Sequence, residues 1–148
     1  MRLRLAHGDP HLQETIARRL RGSNVGRLFG FALESIEPGR VVLRLRVRAK
    51  HIQLQGVVHG GVLAALADSA AGMAVHLAAP PGCRVATIEF KINYLVPLVD
   101  GVVYADARVL RVGATTAVVE CDTRDAHGRL VTKALLTFSV KRGGKKKR

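Results

Sequence analysis

The run from Val62 to Ala79 constrains this chain more than any other segment. Its eighteen residues are almost all Ala, Leu, Val, Met or Gly, and Asp68 is the one carboxylate among them. A helix made of such residues must bury most of its surface, either in a bilayer or in a protein core. The run reaches transmembrane length, but Ser69, Gly72 and His76 interrupt it. A carboxylate at the centre of a spanning helix also costs ~3 kcal/mol on insertion scales. The expectation is a core helix and no membrane. An unpartnered acid is costly there too, because loss of hydration costs a charged group several kcal/mol. Asp68 therefore points to chemistry more than to packing.

What flanks the helix supplies its cover. Val41, Leu43, Leu45 and Val47 alternate with Val42, Arg44, Arg46 and Arg48, the period of a strand with one polar face. Residues Leu28–Glu37 are expected to pair with it through a turn at Pro38-Gly39. After the helix, Ala86, Ile88, Phe90, Ile92 and Tyr94 alternate with Val85, Thr87, Glu89, Lys91 and Asn93. Strands are also expected at Val102–Arg111, Thr115–Arg124 and Leu130–Val140, joined by short Gly-containing connections that favour antiparallel hairpins. Without βαβ alternation the class is α+β: one antiparallel sheet with a single long helix packed on it. Ahead of it, Asp9-Pro10 reads as a helix start, with Leu12, Ile16 and Leu20 as the apolar face and Arg18, Arg19 and Arg21 as a solvated one. The expected organisation is a helical segment over 1–23, a domain over 24–140 and a basic, disordered tail over 141–148.

At 148 residues and 48% hydrophobic, the chain suits one domain with a full core. Cys83 and Cys121 lack metal-ligand spacing and suggest no disulfide framework. That cysteine usage leads to the expectation of a reducing cytoplasm, and the first ten residues contain no apolar core of signal-peptide length. The net charge of +13 owes much to six basic residues among the last eight. The rest still favours an anionic partner such as a phosphorylated ligand. Nucleic acid is a weaker candidate, because four Phe, two Tyr and no Trp offer few stacking platforms.

Within the central helix, Leu63, Leu66, Ala70, Met73 and Leu77 form the expected bulky stripe against the sheet. Gly61, Ala64, Ala65, Asp68, Ala71 and Gly72 form a face of small residues that a ligand or another backbone can approach closely. Gly60 and Gly61 begin the helix, where free N–H groups can polarise a carbonyl on its way to an oxyanion. Asp68 stands two turns beyond Gly61, ~10 Å along the axis. Both cannot act on one carbonyl within one subunit, so cooperation between them requires a second copy.

Taken together, Gln53-x-x-Gly56-x-x-His59-Gly60-Gly61-x-x-x-x-Leu66-x-Asp68, followed by Thr87-x-Glu89-x-x-x-Asn93-Tyr94-x-x-Pro97, resembles the hotdog-fold acyl-CoA thioesterases of the phenylacetyl-CoA (PaaI-like) branch. The resemblance covers roughly Asn24–Val140. It implies an antiparallel sheet wrapped around a long helix, dimers or dimers of dimers, and active sites at the dimer interface. It implies that Asp68 is the catalytic carboxylate and that Gly60 and Gly61 supply the polarising amides. Gln53 falls at an assisting Asn or Gln, and Thr87 at a hydroxyl near the attacking water. His59, Ala64, Ala65 and Gly72 are implied to border the substrate, an acyl-CoA with an aryl or medium-chain acyl group. No cofactor and no metal are expected, since His51 and His76 lack partners at ligand spacing. His59 itself is expected to fix the loop into the helix. Two rivals share the fold, an acyl hydratase and a non-catalytic acyl-CoA sensor. Asp68 after His-Gly-Gly fits hydrolysis better than either.

Overall fold

A computed structural model describes residues 10–142. Two short helices, α1 (Pro10–Gly22) and α2 (Asn24–Phe29), precede the hairpin of β1 (Phe31–Glu37) and β2 (Arg40–Arg46). A single turn of 3-10 helix at Ala49–His51 and a loop lead to α3 (Gly60–Ala78). Four strands complete the chain: β3 (Cys83–Tyr94), β4 (Val102–Val112), β5 (Thr116–Asp125) and β6 (Leu130–Arg142). They form one six-stranded sheet in the order β1-β2-β4-β5-β6-β3, antiparallel throughout. After β2 the chain crosses the sheet through α3, forms the far edge as β3, and returns to lay β4 beside β2.

The long helix is a core helix, as its composition predicts. Val62, Leu63, Leu66, Ala67, Ala70, Ala71, Ala74, Val75 and Ala78 are buried. The expected stripe is right at Leu63, Leu66 and Ala70, but Met73 and Leu77 are only half-buried and Ala74 and Ala78 take their places. The reason is geometric: a strict three-four spacing has a period of 3.5, which drifts ~20° per heptad around a 3.6-residue helix. Ala71, expected on the open face, turns inward for the same reason. Alanines at these contacts bring the helix close to Val41, Leu43 and Leu45, which are fully buried on β2. On the other face of β2, Arg44 pairs with Glu34 across the hairpin at 3.1 Å, so the arginine row is an exposed sheet face.

Three expectations need correction or restriction. Leu28 and Phe29 belong to α2 and not to a strand. Ser23 caps that helix by accepting from the Gly26 N–H at 3.2 Å, and Gly30 ends it at φ 79°, a conformation glycine adopts without penalty. Lys141 and Arg142 continue β6 opposite Arg84 and Cys83, so the strand outlasts the expected start of the tail. Asp9 and the tail beyond Arg142 lie outside the described residues. Ile16 and Leu20 are buried as the α1 spacing predicts. Both cysteines are free and buried.

Candidate active site

Asp68 lies midway along the face of α3 that the sheet leaves open, with Ala64, Ala65, Ser69 and Gly72 around it, all half-buried. Its expected lack of a partner is corrected by β3: Thr87 Oγ1 donates to Asp68 Oδ1 at 2.8 Å. One carboxylate oxygen is thereby held and Oδ2 is left to act. The pair opens into a groove of about 380 Å³ between α3, β3 and the N-terminal helices. Ile16, Arg19 and Leu20 form one wall, Ser69, Gly72 and Met73 the other, with Phe138 against Gly72. A Cβ at Gly72 would meet Phe138 at an ordinary 3.5 Å, so packing does not demand glycine there; its effect is to widen the groove. Arg18 and Arg19 are exposed as expected and Arg21 pairs with Glu14; Arg19 also borders this groove.

The start of α3 is built differently. His59 is the N-cap, and its Nδ1 accepts from the Gly61 N–H at 2.9 Å, which fixes the loop into the helix. Its backbone oxygen accepts from the Val62 N–H, also at 2.9 Å. With the Gly61 amide engaged, the Gly60 amide is the better placed of the two to meet a carbonyl. Tyr94 lies against it, its hydroxyl donating to the Gly60 oxygen at 2.9 Å. A Cβ on Gly60 would stand 3.1 Å from two carbons of that ring, a tight contact that glycine avoids. Burial pushes the Tyr94 hydroxyl up from its ordinary range, which keeps it a donor. Gln53 sits on the loop before the helix, its N–H bonded to the Val57 oxygen. With Gly60, Leu63, Tyr94 and Pro97 it lines a cavity of about 290 Å³.

Five of the expected site residues therefore fall into two groups in one chain, while His59, Gly61, Ala64 and Ala65 line neither cavity. Asp68, Thr87 and Gly72 share the groove, whereas Gln53 and Gly60 share the second cavity with Tyr94. A β-bulge brings both groups to the helix. Strict alternation would put Thr87 and Tyr94 on opposite faces of β3, yet both reach α3. The register shifts between Thr87 and Glu89, and the extra residue, Ile88, reverses the facing of everything after it. Tyr94 and Arg19 are the site neighbours that motif reading did not assign. His51, fully buried, is a third: Arg48 N–H donates to its Nδ1 at 3.0 Å, so the other nitrogen, 2.8 Å from the Phe29 oxygen, carries the proton and donates. Burial holds its pKa down. Its backbone oxygen accepts from the His59 N–H, tying α2 to the start of α3. Among the described residues no group of three His, Cys, Asp or Glu side chains could hold a metal ion.

The sequence matches the family model of the Thioesterase superfamily over residues 55–132. Among curated proteins it is 32% identical to a 1,4-dihydroxy-2-naphthoyl-CoA hydrolase of Listeria monocytogenes, over 76% of this chain and 92% of that protein. A thioesterase structure from Haemophilus influenzae superposes with a TM-score of 0.85 at 26% identity, covering 92% of this chain and 94% of that one. A variant of the phenylacetic acid degradation protein PaaI from Thermus thermophilus superposes with a TM-score of 0.70 at 30% identity, over 76% of this chain and 95% of that one. The chain belongs to the thioesterase superfamily, as a hotdog-fold thioester hydrolase of the PaaI-like kind.

Proposed function

We propose that this chain hydrolyses an acyl-CoA at a site completed by a second copy, with Gln53 and Gly60 of one chain facing Asp68 and Thr87 of the other. The observation that carries the reading is the separation of the two groups. The held carboxylate lies in one cavity and the helix-start amide in another, each with half of what a thioester carbonyl needs. Strand β3 supports the pairing, because it is an edge strand with Ile88, Phe90 and Tyr94 exposed. An unpaired apolar edge is a template for another strand. The CoA assignment draws on the Listeria relative, which acts on a CoA thioester. It also draws on charge: Arg84, Lys141 and Arg142 are exposed where β3 begins and β6 ends, suited to nucleotide phosphates.

In the reaction the thioester oxygen accepts from the Gly60 N–H, assisted by the Gln53 amide. Asp68 Oδ2 either takes a proton from water, whose oxygen adds to the carbonyl carbon, or attacks that carbon itself to give an anhydride that water then opens. Thr87 holds Oδ1 in both routes. Negative charge collects on the carbonyl oxygen at the amide, the C–S bond breaks, and the departing thiolate takes up the proton that the water releases, becoming CoA thiol. The products are the free acid and CoA.

The test is complementation. Gln53→Ala and Asp68→Ala chains, each impaired, are refolded together and thiol release is measured on acyl-CoAs from acetyl to aromatic and long-chain. A mixed dimer has one site with both lesions and one with neither, so activity returns. Verified exchange of subunits without activity above the sum of the parents would place the site within one chain. Silence of the wild-type protein on every thioester would remove the hydrolase reading.

A further inference from the structure

The groove beyond Asp68 has a shape and a chemistry that the hydrolysis of a thioester does not use. Ile16, Arg19, Leu20 and Ser23 follow one another at the spacing of a single helical face, and together they wall the groove. Opposite them stand Asp68, Ser69, Gly72, Met73 and His76 of α3. From Asp68 to His76 is eight residues, ~12 Å along the helix axis. Ile16, Leu20, Met73 and Phe138 supply apolar lining, beside the hydroxyls of Ser23 and Ser69. Arg19 is the one permanently cationic side chain on these walls. Its neighbour Arg21 is neutralised by Glu14, whereas Arg19 has no ion-pair partner among the described residues. His76 adds an imidazole on the same groove, near the end of α3.

Resting on the hydrolase reading, we propose that this groove selects an acyl group with an apolar body and a terminal carboxylate, which Arg19 binds. The thioester carbon sits at Asp68. An extended chain advances ~1.2 Å per bond, the rise of an extended backbone divided over its three bonds. A groove of ~12 Å therefore takes an acyl chain of roughly eight to ten carbons. The guanidinium offers a planar fork that matches a carboxylate, and the methylenes lie on Ile16, Leu20, Met73 and Phe138. Arg19 is a specificity-determining residue and takes no part in bond breaking.

Matched pairs of substrates test this: CoA monothioesters of hexane-, octane- and decanedioic acids against hexanoyl-, octanoyl- and decanoyl-CoA. The wild-type protein is expected to favour the carboxylated member by tenfold or more in kcat/KM at one or more of these lengths. Arg19→Met, which keeps a good helix former, should lower kcat/KM about ten- to a hundredfold for that member alone, the worth of a hydrogen bond to a charged group. Arg18→Met removes the same charge from an exposed position and controls for long-range attraction; it should leave both members of each pair unchanged. Equal or better hydrolysis of the plain acyl-CoA at every length would overturn the assignment. So would Arg19→Met lowering both members alike, or Arg18→Met matching its effect. If neither series is hydrolysed and the general thioester panel is silent too, the hydrolase reading fails first and takes this one with it.

Discussion

Replacing Thr87 by Val tests whether the hydroxyl on β3 matters to the carboxylate on α3. The substitution keeps the β-branched shape and removes only the donor, which lies 2.8 Å from Asp68 Oδ1. A hydrogen bond to a charged group is worth about 1.5–3 kcal/mol. If that bond orients Asp68 throughout the reaction, its loss lowers turnover about ten- to a hundredfold, at 1.36 kcal/mol for each factor of ten. Thr87 is exposed on an edge strand, and Val suits a strand as well as Thr does. The change in stability should therefore stay within about 0.5 kcal/mol. The assay is thiol release on the best acyl-CoA from the panel, with urea unfolding in parallel. Asp68→Asn, nearly isosteric but unable to take a proton or attack, should by itself cost about 10²–10⁴-fold. In that background Thr87→Val should cost little more, because the group it positions has lost its role. An equal loss in both backgrounds would refute the reasoning, since Thr87 would then act without Asp68.

Two further outcomes follow from the packing. Gly60→Ala puts a Cβ 3.1 Å from the Tyr94 ring and should destabilise the fold by about 1–3 kcal/mol in urea unfolding. With Tyr94→Leu already in place the penalty should fall below about 0.5 kcal/mol, and an undiminished penalty would show that the ring is not the obstacle. Asp106 accepts from Arg40 at 2.7 and 2.8 Å and from Arg108 at 3.0 Å. Burial alone would raise its carboxyl, but the guanidinium bonds prevail and hold it below the usual carboxylate range. A folded value below the unfolded one, about 3.9, means that its stabilisation is present above that pH and lost as pH falls through the folded value. Asp106→Asn should thus be less stable at pH 7 by about 1–3 kcal/mol. It should also lose less stability than the parent between pH 5 and 3; parallel curves would show that the pair contributes nothing.

The sequence by itself determined the parts whose signal is local. Alternation on β2 and an alanine-rich run with one acid specify a strand and a core helix because side-chain period follows backbone geometry directly. Gly60 and Asp68 could be singled out for a related reason: a missing side chain at a helix start and a charge in an apolar run stand out in one dimension. Tertiary structure decided everything that depended on a partner far along the chain. The bulge at Ile88, which turns Thr87 and Tyr94 to the same helix, arises from pairing with β6 some fifty residues later. Only packing shows that His59 takes the Gly61 amide while Tyr94 covers Gly60. Packing also sets the exposed Arg19 at the border of the groove that holds Asp68. Periodicity records which face of an element is apolar; which other element meets that face, and in what register, is settled by close packing among distant residues.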